Sequence, residues 1–250
     1  MGAKRSIGTG VYRVVRFNWH FYAIAVIALG SLVFILPHFS GWLNIGGWIL
    51  VLMASLSVLT SLLVTFYVYD LSGLYKLLWL DQSMLGKPIS IVNIHAGYDE
   101  TTELVISKFP TAEVVVFDFF DPTKHTEVSI HRARKLYPSF PGTKRIRTDH
   151  IPLLDKTVDL VLLIFAGHEI RNEDERTRFF KECKRVLKDG GHIAVVEHLR
   201  DLPNALAYNI GVFHFHTAQT WEDTFKAAGL AVKDSRKINA FVHLYILGKP

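Results

Sequence analysis

Twelve histidines stand in this chain of 250 residues, and several of them close apolar runs that read as β-strands. His95 ends the run Ile91-Val92-Asn93-Ile94. His168 and Glu169 follow VDLVLLI, and His198 follows HIAVVE. His214 and His216 flank Phe215 in the long segment beyond. Open α/β sheets bind ligands beyond the carboxyl ends of their strands. Imidazole is the side chain that moves protons near neutral pH. The catalytic candidates are therefore His168, His214 and His216, although a polar rim or a packed position is the plainer reading for any one of them. The His-Phe-His pair would suit a metal, but no carboxylate or cysteine spacing accompanies it, and no metal site is expected. Two carboxylates join the set. Asp118 closes EVVVFD, and Asp149 opens DHIPLLD. Each can accept two hydrogen bonds at once; each could equally cap a helix or sit in a surface turn.

Alternating elements must position these groups. The chain is organised around SIVNIHAGYDE, residues 90–100: a β-branched run, a tight turn at Ala96-Gly97, then a polar helix start. Such a turn presents backbone N–H groups to a ligand. Helices are expected over about 100–109, 123–136, from Asn172 to a glycine stop at Asp189-Gly190-Gly191, and 219–228. Asn172 with Glu175 reads as a capping box. Strands are expected at 91–95, 113–118, 143–149, 158–164, 192–197, 231–236 and 240–248. Repeated β-α units imply a doubly wound, mostly parallel seven-stranded α/β sheet, closed by an antiparallel hairpin. The turn after the first strand lacks the G-x-G-x-x-G spacing, which argues against a dinucleotide oxidoreductase.

Residues 1–69 differ in kind. Lys4, Arg5, Arg13 and Arg16 come first without an acid, and no charged residue follows until Asp70. Two apolar runs, about 20–37 and 42–69, are separated by Pro37-His38-Phe39-Ser40-Gly41. They suit a two-helix transmembrane hairpin. The basic N-terminus places both chain ends, and the domain at 90–250, on the cytoplasmic side. A signal peptide followed by a core helix, or two core helices, are the alternatives. Residues 70–89 form a connector. Leu71, Leu74, Tyr75, Leu78 and Trp79 have helical spacing, for an amphipathic helix on the membrane surface or a face packed on the domain. The net charge of +5 has no basic block of the kind that grips nucleic acid. The one cysteine, Cys183, fits a reducing compartment.

The stretch from Asp159 to His198, with its turn Arg185-Val186-Leu187-Lys188-Asp189-Gly190-Gly191, and the closing TWEDTFKAAGL resemble the class I S-adenosylmethionine-dependent methyltransferases. In style it is similar to members that methylate small lipophilic acceptors, such as the quinone C-methyltransferases. The resemblance covers about residues 70–250. It implies a cofactor loop after the first strand, in degenerate form here. Asn93 falls at the usual acidic position, and His95, Gly97 and Asp99 at the three glycines. It further implies Asp118 on the ribose, Phe119 beside the adenine, Asp149 and His150 at the adenine, and Phe165 along the cleft. The expected protein is a membrane-anchored methyltransferase using S-adenosylmethionine on a lipophilic acceptor or membrane lipid. The alternative is a methyltransferase-like membrane scaffold that has lost the cofactor.

Overall fold

A computed structural model describes residues 6–80, 85–125 and 127–250. Lys4, Arg5 and part of the connector, residues 81–84, lie outside them. Three helices come first: α1 (Thr9–Phe17), α2 (Trp19–Ile35) and α3 (Gly41–Phe66). By length and composition α2 and α3 can each cross a membrane, and 6 % of each apolar window is buried. They are candidates for a hairpin. α1 instead lies against the domain. Asp70 accepts from the backbone N–H groups of Gly10 and Val11 at 2.8 and 2.9 Å, which satisfies donors that a helix start leaves open.

Over residues 70–80 the connector does not form one amphipathic helix. Tyr67–Leu71 widens into one π turn, Gly73 takes a left-handed φ of 74°, and Leu74–Lys76 is a single 3-10 turn. Gly73 takes that conformation without the steric cost a side chain would carry, and the helix ends there. Leu74, Leu77, Trp79 and Leu80 are buried against one face of the sheet with Ile91, Leu160 and Ile246.

Seven strands form one sheet in the order β3-β2-β1-β4-β5-β7-β6. They are β1 (Ser90–His95), β2 (Glu113–Asp118), β3 (Lys144–Arg145), β4 (Val158–Ile164), β5 (Leu187–His198), β6 (Ala231–Asn239) and β7 (Val242–Gly248). β1 to β5 run parallel, and β7 is antiparallel to β5 and β6. The near-continuous apolar runs of β1 and β4 follow from burial on both faces. The second face carries Phe179, Phe180, Cys183, Trp221 and Phe225.

Boundaries moved where side chains took over backbone bonding. The helix expected from 123 begins at Val128. The Asp121 carboxylate accepts from the Thr123 amide and hydroxyl, which fixes a turn there. β3 is two residues, not seven. Asn172 caps its helix, Glu173–Val186, by accepting from the Glu175 amide at 2.8 Å. Glu175 does not return the bond; its carboxylate accepts from Lys124 and Thr148. The glycine stop lies inside β5, where Gly190 has φ 85°. At Gly191 a Cβ would meet the Val158 and Asp159 carbonyls at 3.0 Å.

Candidate functional site

β1, β4 and β5 end side by side. In the turn after β1, the Asn93 amide donates to the hydroxyls of Thr101 and Thr102 at 3.1 and 2.8 Å. Asp99 accepts from the amides of Thr101 and Thr102. These two residues brace the turn from beneath. His95 Nδ1 accepts from the Gly97 amide at 3.1 Å, so Nε2 carries the ring proton. That nitrogen is buried and has no hydrogen-bond partner among the described residues. Burial lowers the His95 pKa, so the ring is a neutral donor.

Asp118, at the end of β2, is 2 % exposed. Its Oδ1 accepts from the Phe120 amide at 2.8 Å and its Oδ2 from Arg134 at 2.5 Å. Arg134 also donates to the Gly97 carbonyl at 3.2 Å. Gly97, at φ 96°, lies so close that a Cβ there would meet the guanidinium at 2.7 Å.

The densest chemistry lies beyond β4 and β5. Gly167–Glu169 is a 3-10 turn. Glu197, wholly buried in β5, accepts from the His168 amide at 3.2 Å and meets His168 Nδ1 at 2.6 Å. Gly167 permits the approach, since a Cβ would stand 3.0 Å from Trp221. His168 Nε2 and His214 Nε2 each lie 3.4 Å from Glu169 Oε1. Burial lowers the pKa of His168, but the carboxylates of Glu197 and Glu169 outweigh it and push the ring up to about 10. Burial likewise raises Glu169, and hydrogen bonds from His168 and His214 overcome it and hold the carboxyl well below its usual range. His214 is lowered, chiefly by burial.

A wall of rings flanks this cluster. His198 stacks between Phe165 and Phe215, with centroids 4.9 Å away on both sides. Its Nδ1 meets the Phe241 carbonyl at 2.9 Å and its Nε2 the Tyr69 hydroxyl at 2.9 Å. Burial pushes its pKa down to about 4. α1 supplies the roof: Arg13 pairs with Glu100, and Tyr75 and Tyr98 donate to the same carboxylate at 2.5 and 2.9 Å. Together these groups enclose a cavity of about 300 Å³, lined also by Thr65 from α3 and by Tyr208.

Of the residues singled out in the sequence, His95, Phe165, His168 and His214 line this cavity. Gly97 and Asp118 lie at its β2 side beneath Arg134. Asn93 is a brace. Phe119 faces the core, against Phe179 and His125. Asp149 is exposed and paired with Arg147 at 2.6 Å, and His150 is exposed near Glu182. His216 packs on Trp221, with Arg176 3.4 Å from its Nε2. These four lie outside the cavity. Sequence reasoning missed Glu197, whose signal was a carboxylate inside an apolar strand. It also missed Arg134, Glu100 and the contribution of Thr65 and Tyr69.

The profile of a family described as "Methyltransferase domain" matches residues 97–195. A demethylmenaquinone methyltransferase of Chlamydia trachomatis is 29 % identical over 120 residues, covering 47 % of this chain and 48 % of its own. The Thermotoga maritima enzyme of the same name is 25 % identical over 135 residues, covering 54 % and 53 %. A malonyl-[acyl-carrier protein] O-methyltransferase of Methylococcus capsulatus is 29 % identical over 109 residues, covering 43 % and 36 %. The chain thus spans about half the length, or less, of these curated relatives. Among solved structures, the mitomycin 7-O-methyltransferase MmcR aligns with TM-score 0.57 and 16 % identity over 99 % of this chain and 74 % of that one. Human N-acetylserotonin methyltransferase, solved with SAM, aligns with TM-score 0.52 and 16 % identity over 76 % and 55 %. The structures share the fold. Profile and relatives support a class I S-adenosylmethionine-dependent methyltransferase domain, with S-adenosylmethionine as its cofactor.

The residues present fit that cofactor on two observations. The unpartnered Nε2–H of His95 is a donor suited to its carboxylate. Asp118 is a buried carboxylate suited to its ribose hydroxyls, and Arg134, which holds its Oδ2, would have to turn away to free it.

Proposed function

We propose that the protein is a membrane-anchored methyltransferase acting on a lipophilic small molecule or lipid, with its domain on the cytoplasmic side. One observation carries this reading. The cavity at the strand ends is shared by His95, Phe165 and His168 of the methyltransferase fold and by Thr65 and Tyr69 at the end of the second apolar helix. An acceptor leaving a bilayer along α3 would arrive beside the histidines. The exposure of α2 and α3 supports anchoring, because a core helix of a soluble domain is mostly buried. The names of the menaquinone-precursor methyltransferases among its relatives favour a quinone-like acceptor.

Asp118 and His95 would hold the cofactor, which when bound supplies an electrophilic methyl group. The chain's own work is placement and proton handling. Glu197 fixes His168 through two hydrogen bonds, one to its backbone amide and one to ring Nδ1, leaving Nε2 toward Glu169 and the cavity. His214 stands across from it. Either imidazole is placed to engage a hydroxyl or enol oxygen of the acceptor. The stacked wall of Phe165, His198 and Phe215 and the roof formed by α1 would confine the acceptor, which favours alignment of the reacting groups.

The full chain in detergent, titrated with S-adenosylhomocysteine and then incubated with methyl-labelled cofactor and a membrane lipid extract, tests the reading. The expected result is heat on titration and label in the organic phase. Label confined to water-soluble products would overturn the lipophilic acceptor. Alkaline carbonate washing of membranes tests the anchor, with the chain expected in the pellet. A second reading, a scaffold without cofactor, is favoured by the single observation that Arg134 covers Asp118. Absence of heat at millimolar ligand would select it.

A further inference from the structure

Spacing along the chain offers His214 no carboxylate to share a metal with, but folding supplies one. Glu169 Oε1 lies 3.4 Å from both His168 Nε2 and His214 Nε2, and one ligand atom from each of the three residues lies within 4.8 Å of the others. Two edges of 3.4 Å match a tetrahedral site with metal–ligand distances of about 2.1 Å. The third, between the two imidazoles, is at most 4.8 Å, and His214 is the most exposed of the three. The cluster is buried yet opens on the cavity, so protein fills part of the coordination sphere and a ligand can complete it.

The surroundings are those of a metal site. Glu197 grips His168 Nδ1 at 2.6 Å, the carboxylate–imidazole pairing that orients a metal-binding histidine. Glu127 Oε2 lies 3.7 Å from His214 Nδ1 and can do the same for the second ring. Arg171 donates to both the carbonyl and Nδ1 of His214. With Nδ1 protonated for metal binding, Arg171 retains the carbonyl alone. Two buried carboxylates, Glu169 and Glu197, supply the negative charge that a cation needs.

We propose that His168, Glu169 and His214 bind one divalent transition-metal ion, open to the acceptor's oxygen. Two imidazole nitrogens and one carboxylate favour Zn²⁺, Fe²⁺, Mn²⁺ or Co²⁺ over Mg²⁺ or Ca²⁺. For its task this deepens the methyltransferase reading: a metal-bound hydroxyl or enol is more acidic and better placed to react. Binding of the metal does not depend on that reading.

Untagged full chain in detergent, stripped with a chelator, would be titrated with Co²⁺ and followed by visible absorption. The expected result is one equivalent bound, with the intense bands of low-coordinate Co²⁺, displaced by Zn²⁺. His214→Ala and Glu169→Gln should abolish stoichiometric binding. Glu197→Gln should weaken it by about 10- to 100-fold. His243→Gln, on β7 and away from the cavity, should change nothing. No binding by the unmodified chain, or an unaltered spectrum in His214→Ala, overturns the proposal. Calorimetry with S-adenosylhomocysteine on the same stripped sample separates the two readings. Heat without metal binding leaves the transferase standing and removes the metal. Metal binding without heat does the reverse.

Discussion

Arg134 donates to Asp118 Oδ2 at 2.5 Å and lies directly over Gly97. Under the proposed reading the guanidinium occupies the hydrogen-bonding face of Asp118 that the ribose would use, so nucleoside binding and this ion pair would be alternatives. Removing one partner of a buried pair leaves the other uncompensated, so Arg134→Ala should lower the thermal stability of the free protein. The same change should tighten S-adenosylhomocysteine by about fivefold, if releasing Asp118 is worth about 1 kcal/mol. Calorimetry on both forms checks it. Weaker binding by Arg134→Ala would show that the arginine holds the ligand instead of excluding it.

Asp118→Asn keeps the shape and removes the charge. Affinity for S-adenosylhomocysteine should fall about tenfold or more, since a hydrogen bond to a charged group contributes about 1.5–3 kcal/mol. Unchanged affinity would put the ribose elsewhere.

Glu197→Gln should slow methyl transfer about 100-fold or more, the lower range for loss of positioned acid–base catalysis. The affinity for S-adenosylhomocysteine should not change, because Glu197 touches His168 and not the β1–β2 side. Loss of both together would mean that the substitution disturbs the fold.

Acid should destabilise the domain above the carboxylate range. His198 is held down to about 4 and His216 to about 3, both chiefly by burial. The unfolded chain binds protons near pH 6.5 that these folded rings refuse, so the stability these two rings allow is full above that pH and falls toward pH 4. For His198 alone the loss is on the order of 3 kcal/mol. Thermal melts in detergent at pH 7 and pH 5 measure it, and His198→Gln should reduce the difference. A flat profile would mean that these rings protonate in place.

Much of the sheet was legible because buried parallel strands write themselves as apolar runs. VDLVLLI and EVVVFD became β4 and β2 at the expected residues. Asn172 announced its helix because a cap is a local interaction. β3 shrank and the helix before it started late, since the Asp121 turn competes with a helix by a bond that propensity does not register. The candidate site was legible in part. His95, His168 and His214 stood out by residue type and by position after strands. Glu197 did not, although it fixes His168: its one local sign, a carboxylate inside an apolar strand, does not say which side chain it will meet. His216 points the other way along the same segment, onto Trp221, and two residues' separation gave no hint of the side. Thr65 and Tyr69 were hidden for another reason: an apolar run gives no sign of which ring or hydroxyl will reach a distant cavity.

Asp70 is the first charge after a long uncharged stretch, and both its oxygens hold the first amides of α1. The lid of the chamber is thereby tethered to the stem that would stand in the lipid. A change in bilayer thickness that tilts the stem would be transmitted to the lid through those two bonds. Access for a greasy guest would then be set by the membrane itself as well as by the guest.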